Sequence, residues 1–217
     1  RTVLAMVLGA GLACAGAAFQ SLFANPLATP DTLGVTAGAS VGAVLALLAD
    51  GGMFTVQMTA LIFGIASVMM TVSFARIRGR SSILMLVLSG VIISSVFNAI
   101  ISIIKYTCDP INKLPQITYW LMGSLSGASY KSLAFGMPFI VAGVAIITAL
   151  RWRLNILTLS EDEAHAAGIN VQRTRIAIVI ASTMVTASCV SMCGQVGWVG
   201  LLVPHCARMI CGSNNRF

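Results

Sequence analysis

The chain has 217 residues, of which 58% are hydrophobic and only 9% charged, with a formal net charge of +7. A water-soluble domain carries about 25% charged residues, so this composition excludes one. It also excludes a transmembrane β-barrel, whose strands alternate apolar and polar residues over about 10 positions, because the apolar runs here are about 20 residues long, the length of a membrane-crossing helix.

Seven such runs follow one another: Thr2–Phe23, Leu33–Ala49, Phe54–Ala75, Ile83–Ile104, Ser132–Leu150, Ile176–Cys193 and Val196–Ile210. The expected fold class is therefore all-α, a polytopic transmembrane helical bundle. With 20 glycines and few aromatics, its helices are expected to approach closely. The first two runs carry no charge and are joined by Ala24-Asn25-Pro26-Leu27-Ala28-Thr29-Pro30. Asn and Pro are turn formers, so these residues read as the bend of a membrane hairpin. The chain starts at Arg1 rather than Met, with no cleavable leader in front of the first run. It is expected to be an internal piece of a longer protein.

The charges predict orientation. If successive connections alternate sides, Arg76, Arg78, Arg80, Arg151, Arg153, Arg173, Arg175, Arg208 and Arg216 share one face with the Asn25 turn, while Arg1, Lys105, Lys113 and Lys131 lie on the other. Nine against four places the Asn25 turn on the cytoplasmic side by the positive-inside rule. The net positive charge reflects this bias and implies no nucleic-acid partner.

Two connections hold more than a turn. On the outer side, Lys105 to Lys131 contains Pro110, Pro115 and a short segment, Ile117 to Met122, expected to be a helix at the interface, where Tyr119 and Trp120 are favoured. On the inner side, Ser160 and Glu163 form a capping box, Glu161 and Asp162 suit the positive end of a helix, and Gly168 is placed to stop it. A helix of about two turns outside the bilayer is predicted there.

No catalytic constellation accompanies these elements. The two histidines, His165 and His205, are far apart, and no metalloprotease, nucleophile-elbow or phosphate-loop motif is present. Cys189 and Cys193 fall one helical turn apart without a nearby His or carboxylate, and read as small core residues. No cofactor or metal is expected. The span interiors hold essentially no ionisable residue, which argues against the alternative of an ion-coupled secondary transporter, whose coupling ion needs ligands near the midplane. Energy then has to come from a partner.

Four stretches, in order, carry a resemblance: Gly16-Ala17-Ala18-Phe19-Gln20-Ser21-Leu22-Phe23-Ala24-Asn25-Pro26-Leu27-Ala28 followed by Leu33 to Ser40; Tyr119 to Leu125; Leu159 to Ala164 with Ala167-Gly168-Ile169; and Gly197 to His205 with Arg208. Together they resemble the signature of the FecCD-type permeases, membrane subunits of type II ATP-binding-cassette importers for iron-siderophore complexes, haem and cobalamin. Family members have about ten transmembrane helices. The resemblance implies one permease domain over 1–217, truncated at both ends, holding helices two through eight, with the segment 155–169 as a coupling element. Trp198 stands where the family usually has Phe.

The resemblance also implies roles and partners. The protein would be a non-enzymatic permease subunit in a bacterial inner membrane, and would pair with a second permease subunit around a central path. Two ATPase subunits would bind below, and an extracytoplasmic substrate-binding protein would deliver cargo from above. Asn25, Pro26 and Leu27, with Ser81 and Ser82, would form cytoplasmic gates. Ser160, Glu161, Asp162, Glu163, Ala164, His165, Ala167 and Gly168 would form the coupling helix seated on the ATPase. Arg1 would meet carboxylates of the binding protein.

Overall fold

The structure is a computed structural model that describes residues 1–75, 83–127, 129–156 and 170–211. Among these residues all regular structure is helical: α1 (Thr2–Leu22), a 3-10 turn (Pro30–Leu33), α2 (Val35–Leu48), α3 (Met53–Ala75), α4 (Ile83–Thr107), α5 (Lys113–Leu121), α6 (Tyr130–Ala149), α7 (Arg151–Ile156), α8 (Val171–Cys193) and α9 (Val199–Cys211). In hydrocarbon a backbone must satisfy its own polar groups, and an uncharged run of this length does so as a helix.

Five helices, α1, α3, α4, α6 and α8, have the length and hydropathy to cross a membrane. The other two expected spans are helical but shorter, α2 with 14 residues and α9 with 13. At 1.5 Å per residue each extends only about 20 Å, less than the ~30 Å hydrocarbon core. For α2 the reason is the connection before it, which takes up depth that a full helix would occupy.

The bundle is built around α8. Its apolar window is 78% buried, against 22% for α4 at the periphery. The central position follows from its composition: Ala181, Ser182, Thr183, Ala187, Ser188, Cys189 and Ser191 are all buried, and such small side chains let α1, α2, α3 and α6 close around it. Helix α8 begins at Val171, five residues before the expected run, because Asn170 caps it by accepting from the Arg173 amide at 3.0 Å. Helices α2 and α3 pack closely along their length. A Cβ at Gly42 would lie 2.3 Å from the Thr59 carbonyl oxygen, and one at Gly38 would lie 2.6 Å from that of Phe63, so the Gly-x-x-x-Gly spacing sets how near these backbones run.

The described charged residues gather at the two ends of the bundle. One end gathers Arg1, the Asp50 turn, α5 and the start of α6 with Lys131. Here Lys113 donates to the Leu47 carbonyl at 3.0 Å and pairs with Asp50, fastening the end of α2 to α5. Helix α5 starts earlier than expected because Asp109 organises the turn before it, its carboxylate accepting from the Ile111 amide at 2.9 Å and the Asn112 side chain at 2.7 Å. These donors hold the Asp109 carboxyl below the usual carboxylate range. The opposite end carries the Asn25 turn with Arg151, Arg153, Arg173, Arg175 and Arg208. These five fall where the charge count expects them, while Arg76, Arg78, Arg80 and Arg216 lie outside the described residues.

Candidate functional site

The Asn25 turn begins where α1 runs out. The Phe23 amide still reaches Phe19 at 2.9 Å, and the next two amides fold back, Ala24 to Ser21 at 3.3 Å and Asn25 to Gln20 at 3.1 Å. Ala24 takes φ of +47°, the left-handed conformation that commonly ends a helix but that a side chain disfavours. Asn25 then organises a second bend. Its side-chain oxygen accepts from the Leu27 amide at 2.9 Å and its carbonyl from the Ala28 amide at 3.1 Å. Asn25, Pro26 and Leu27 are exposed, and the apolar Leu27 is 67% exposed at the tip.

From that tip the chain turns inward. Pro30 starts the 3-10 turn, and Gly34, at φ +86°, redirects the chain into α2. This segment penetrates the bundle rather than lying on it. A Cβ at Gly90 would sit 2.1 Å from the Thr32 carbonyl oxygen and 2.8 Å from the Leu33 Cα. Gly90 is seven residues into α4, so Thr32 and Leu33 sit about 10 Å above the start of that helix. Buried hydroxyls satisfy the carbonyls carried in: Thr71 donates to Leu33 and Ser67 to Gly34, both at 2.9 Å.

The penetrating connection and the first turns of α4 enclose a cleft of about 350 Å³. Phe23, Asn25, Leu27, Ala28 and Thr32 line one side, and Ile83, Leu84 and Val87 the other. The cleft thus sets the Asn25 turn, one of the two stretches expected to form gates, against the first turns of α4. Ser81 and Ser82 themselves lie outside the described residues, as does the whole expected coupling segment, Ser160, Glu161, Asp162, Glu163, Ala164, His165, Ala167 and Gly168.

Arg1 lies at the far end. Its guanidinium donates to the Ser126 carbonyl at 3.3 Å, beside a chain of hydroxyls, Tyr119 to Ser126 at 2.8 Å and Ser126 to Ser124 at 2.6 Å. No described contact links Arg1 to the Asn25 turn.

Three residues not expected at the site hold the last turn of α1. Gln20 donates to the Leu201 carbonyl at 3.2 Å, and Arg208 donates to the Ala17 carbonyl at 2.9 Å and to Ser21 Oγ at 2.6 Å. Gln20 is a large polar residue in a run otherwise made of apolar and small residues, a visible signal of a partner across the bundle. Its partner, 181 residues away, was not visible.

The five long helices contain no Asp or Glu. Among the described residues, Asp31, Asp50 and Asp109 all fall in connections or turns, and no three His, Cys, Asp or Glu side chains come together. Cys193 Sγ contacts the Cys189 carbonyl at 3.0 Å within the core.

A sequence model of the FecCD transport family matches residues 1–217. The chain is 37% identical over 217 residues to the molybdate import system permease protein MolB of Haemophilus influenzae, covering all of this chain and 64% of that protein. It is 34% identical over 217 residues to the cobalamin import system permease protein BtuC of Halobacterium salinarum, covering all of this chain and 58% of that protein. It is 32% identical over 227 residues to the hemin transport system permease protein HmuU of Yersinia pestis, covering all of this chain and 65% of that protein. The chain thus spans somewhat under two thirds of the length of these relatives. A solved structure of a proposed metal-chelate type ABC transporter, in an inward-facing conformation, superposes with a TM-score of 0.94 at 36% identity, covering 98% of this chain and 68% of that one.

Proposed function

The chain belongs to the FecCD transport family, and from that premise we propose that it is the permease part of an ATP-driven importer, with the Asn25–Leu27 turn as its inner gate. The protein is a multi-pass membrane protein. The observation that carries the reading is the cleft at the arginine-rich end, where two separate stretches of chain meet below a bundle whose long helices lack carboxylates. A turn tipped by an exposed leucine can close an apolar passage against a second copy of itself by excluding water. Five long described helices without a carboxylate favour a driving force supplied by a partner.

The remaining roles follow as parts of the same proposal. Two permease subunits enclose the path, two ATPase subunits seat the segment around Glu161 and Glu163, and an extracytoplasmic binding protein meets the end that carries Arg1. The arginine-rich end faces the cytoplasm of a bacterial cell. The cargo class is a metal complex of the iron-siderophore, haem or cobalamin kind, and similarity to a molybdate permease extends it to a metal oxyanion.

Reconstitution tests this. The full-length permease in proteoliposomes, with its ATPase and binding protein, is expected to accumulate cargo only with ATP. Uptake driven by an ion gradient without ATP would overturn the reading in favour of a secondary transporter. Glu161→Lys and Glu163→Lys are each expected to weaken co-purification of the ATPase, and full retention of co-purification and uptake in both would remove the coupling assignment.

A further inference from the structure

We propose that Arg208 is a positioning residue for the inner turn, through which displacement of α9 is transmitted to Asn25, Pro26 and Leu27. This rests on the gate reading above and adds to it the element that moves the gate.

The argument starts from Pro204 inside α9. Proline has no N–H, so the carbonyl four residues earlier, that of Gly200, loses its usual helical donor. That carbonyl is turned onto α1 at Gly16, where an added Cβ would lie only 1.8 Å from it. The next carbonyl, Leu201, accepts from Gln20. One turn past the proline, Arg208 reaches back to Ala17 and Ser21. Helix α9 is thus fastened to α1 along a polar seam, and α1 is its one substantial helical neighbour among the described residues. The rest of its surface, including Leu202, Val203, Met209 and Ile210, is exposed.

The seam ends at the residues that form the turn. Gln20 and Ser21, whose side chains contact α9, are also the residues whose carbonyls receive the Asn25 and Ala24 amides. A helix C-terminus carries partial negative charge and favours a cation, yet the last turn of α1 has no basic residue. Arg208 supplies that cation from another helix. The turn it steadies includes Ala24 in the left-handed region, a conformation that persists only when its surroundings impose it. A shift of α9 that withdraws the guanidinium removes one such restraint, giving the turn a second arrangement.

The test uses the full-length permease with its ATPase in inside-out vesicles, carrying Leu27→Cys and Cys206→Ser. A membrane-impermeant maleimide is applied, and labelling is read by mass spectrometry on the residue-27 peptide. With Arg208 present, the labelling rate is expected to differ at least about fivefold between nucleotide-free and ATP-vanadate states, the lower range of measured site-to-site coupling. In Arg208→Met the difference is expected to fall within about twofold while the ATPase still co-purifies, and Arg208→Lys, which keeps a charged donor, restores part of it. A full swing in Arg208→Met overturns the proposal. Should that variant not assemble, Ser21→Ala decides, since it removes one of the two acceptors: a reduced swing supports the proposal and an unchanged one overturns it. Absence of any swing with Arg208 intact defeats the gate reading itself, and this inference with it. A swing that is insensitive to Arg208 defeats this inference alone.

Discussion

Replacing Gly90 with alanine adds one methyl group where the connection after the Asn25 turn enters the bundle. The added Cβ would lie 2.1 Å from the Thr32 carbonyl oxygen and 2.8 Å from the Leu33 Cα. Both are backbone atoms, so no side chain can swing aside. Restoring an ordinary contact of about 3.4 Å requires α4 and the 3-10 turn to separate by about 1.3 Å. That separation pulls on the Leu33 and Gly34 carbonyls, which are held by Thr71 and Ser67, and widens the cleft that Thr32 and Val87 line together. Overpacking of this kind costs about 1–3 kcal/mol. Two readouts on the full-length protein are expected to move together: a lower thermal unfolding midpoint in detergent, and faster maleimide labelling of Leu27→Cys. Gly9→Ala is the matched control, because nothing lies within 4 Å of its Cβ position. It is expected to be neutral or slightly stabilising, since alanine favours a helix over glycine by about 1 kcal/mol. If Gly90→Ala were as stable and as slowly labelled as Gly9→Ala, the close approach of the connection to α4 would be refuted.

Thr71→Val keeps the shape of the side chain but removes the hydroxyl that donates to the Leu33 carbonyl. Leaving that buried acceptor without this donor is expected to cost about 1–3 kcal/mol, or less if the lipid-embedded reference finds other partners, measured as a drop in the unfolding midpoint. At the outer end, Asp109 has a lowered pKa from the Ile111 amide and the Asn112 side chain. A depressed carboxyl contributes stability above its unfolded pKa of about 3.9 and loses it as the pH falls through the lower folded value. Amide exchange at Ile111 is therefore expected to be insensitive to this carboxyl between pH 7 and about pH 5, corrected for intrinsic rates, and to accelerate below that. Asp109→Asn is expected to abolish the acid-dependent step, and its persistence in that variant would contradict the assignment.

The Asn25 turn was legible because its chemistry is local. A bond from Asn25 to the amide two residues on, and prolines that cannot continue a helix, need no information from elsewhere in the chain. The cap at Asn170 was equally local, yet the first turns of α8 were missed because Arg173 and Arg175 interrupt the apolar run without interrupting the helix. Gln20 announced a partner without naming it. Arg208 stood out only as part of a family motif, and its contact with Ser21 joins residues 187 apart.

What the sequence determined by itself was the solvent and the class of structure. Long uncharged runs in hydrocarbon must be helices, because no water is available for the backbone. What only the tertiary structure decided was depth and pairing. Helices that are apolar all round carry no stripe to mark the buried face, so the central place of α8, the recessed start of α2 against Gly90 and the seam between α1 and α9 emerge only when small residues and stray polar groups find their complements across the bundle.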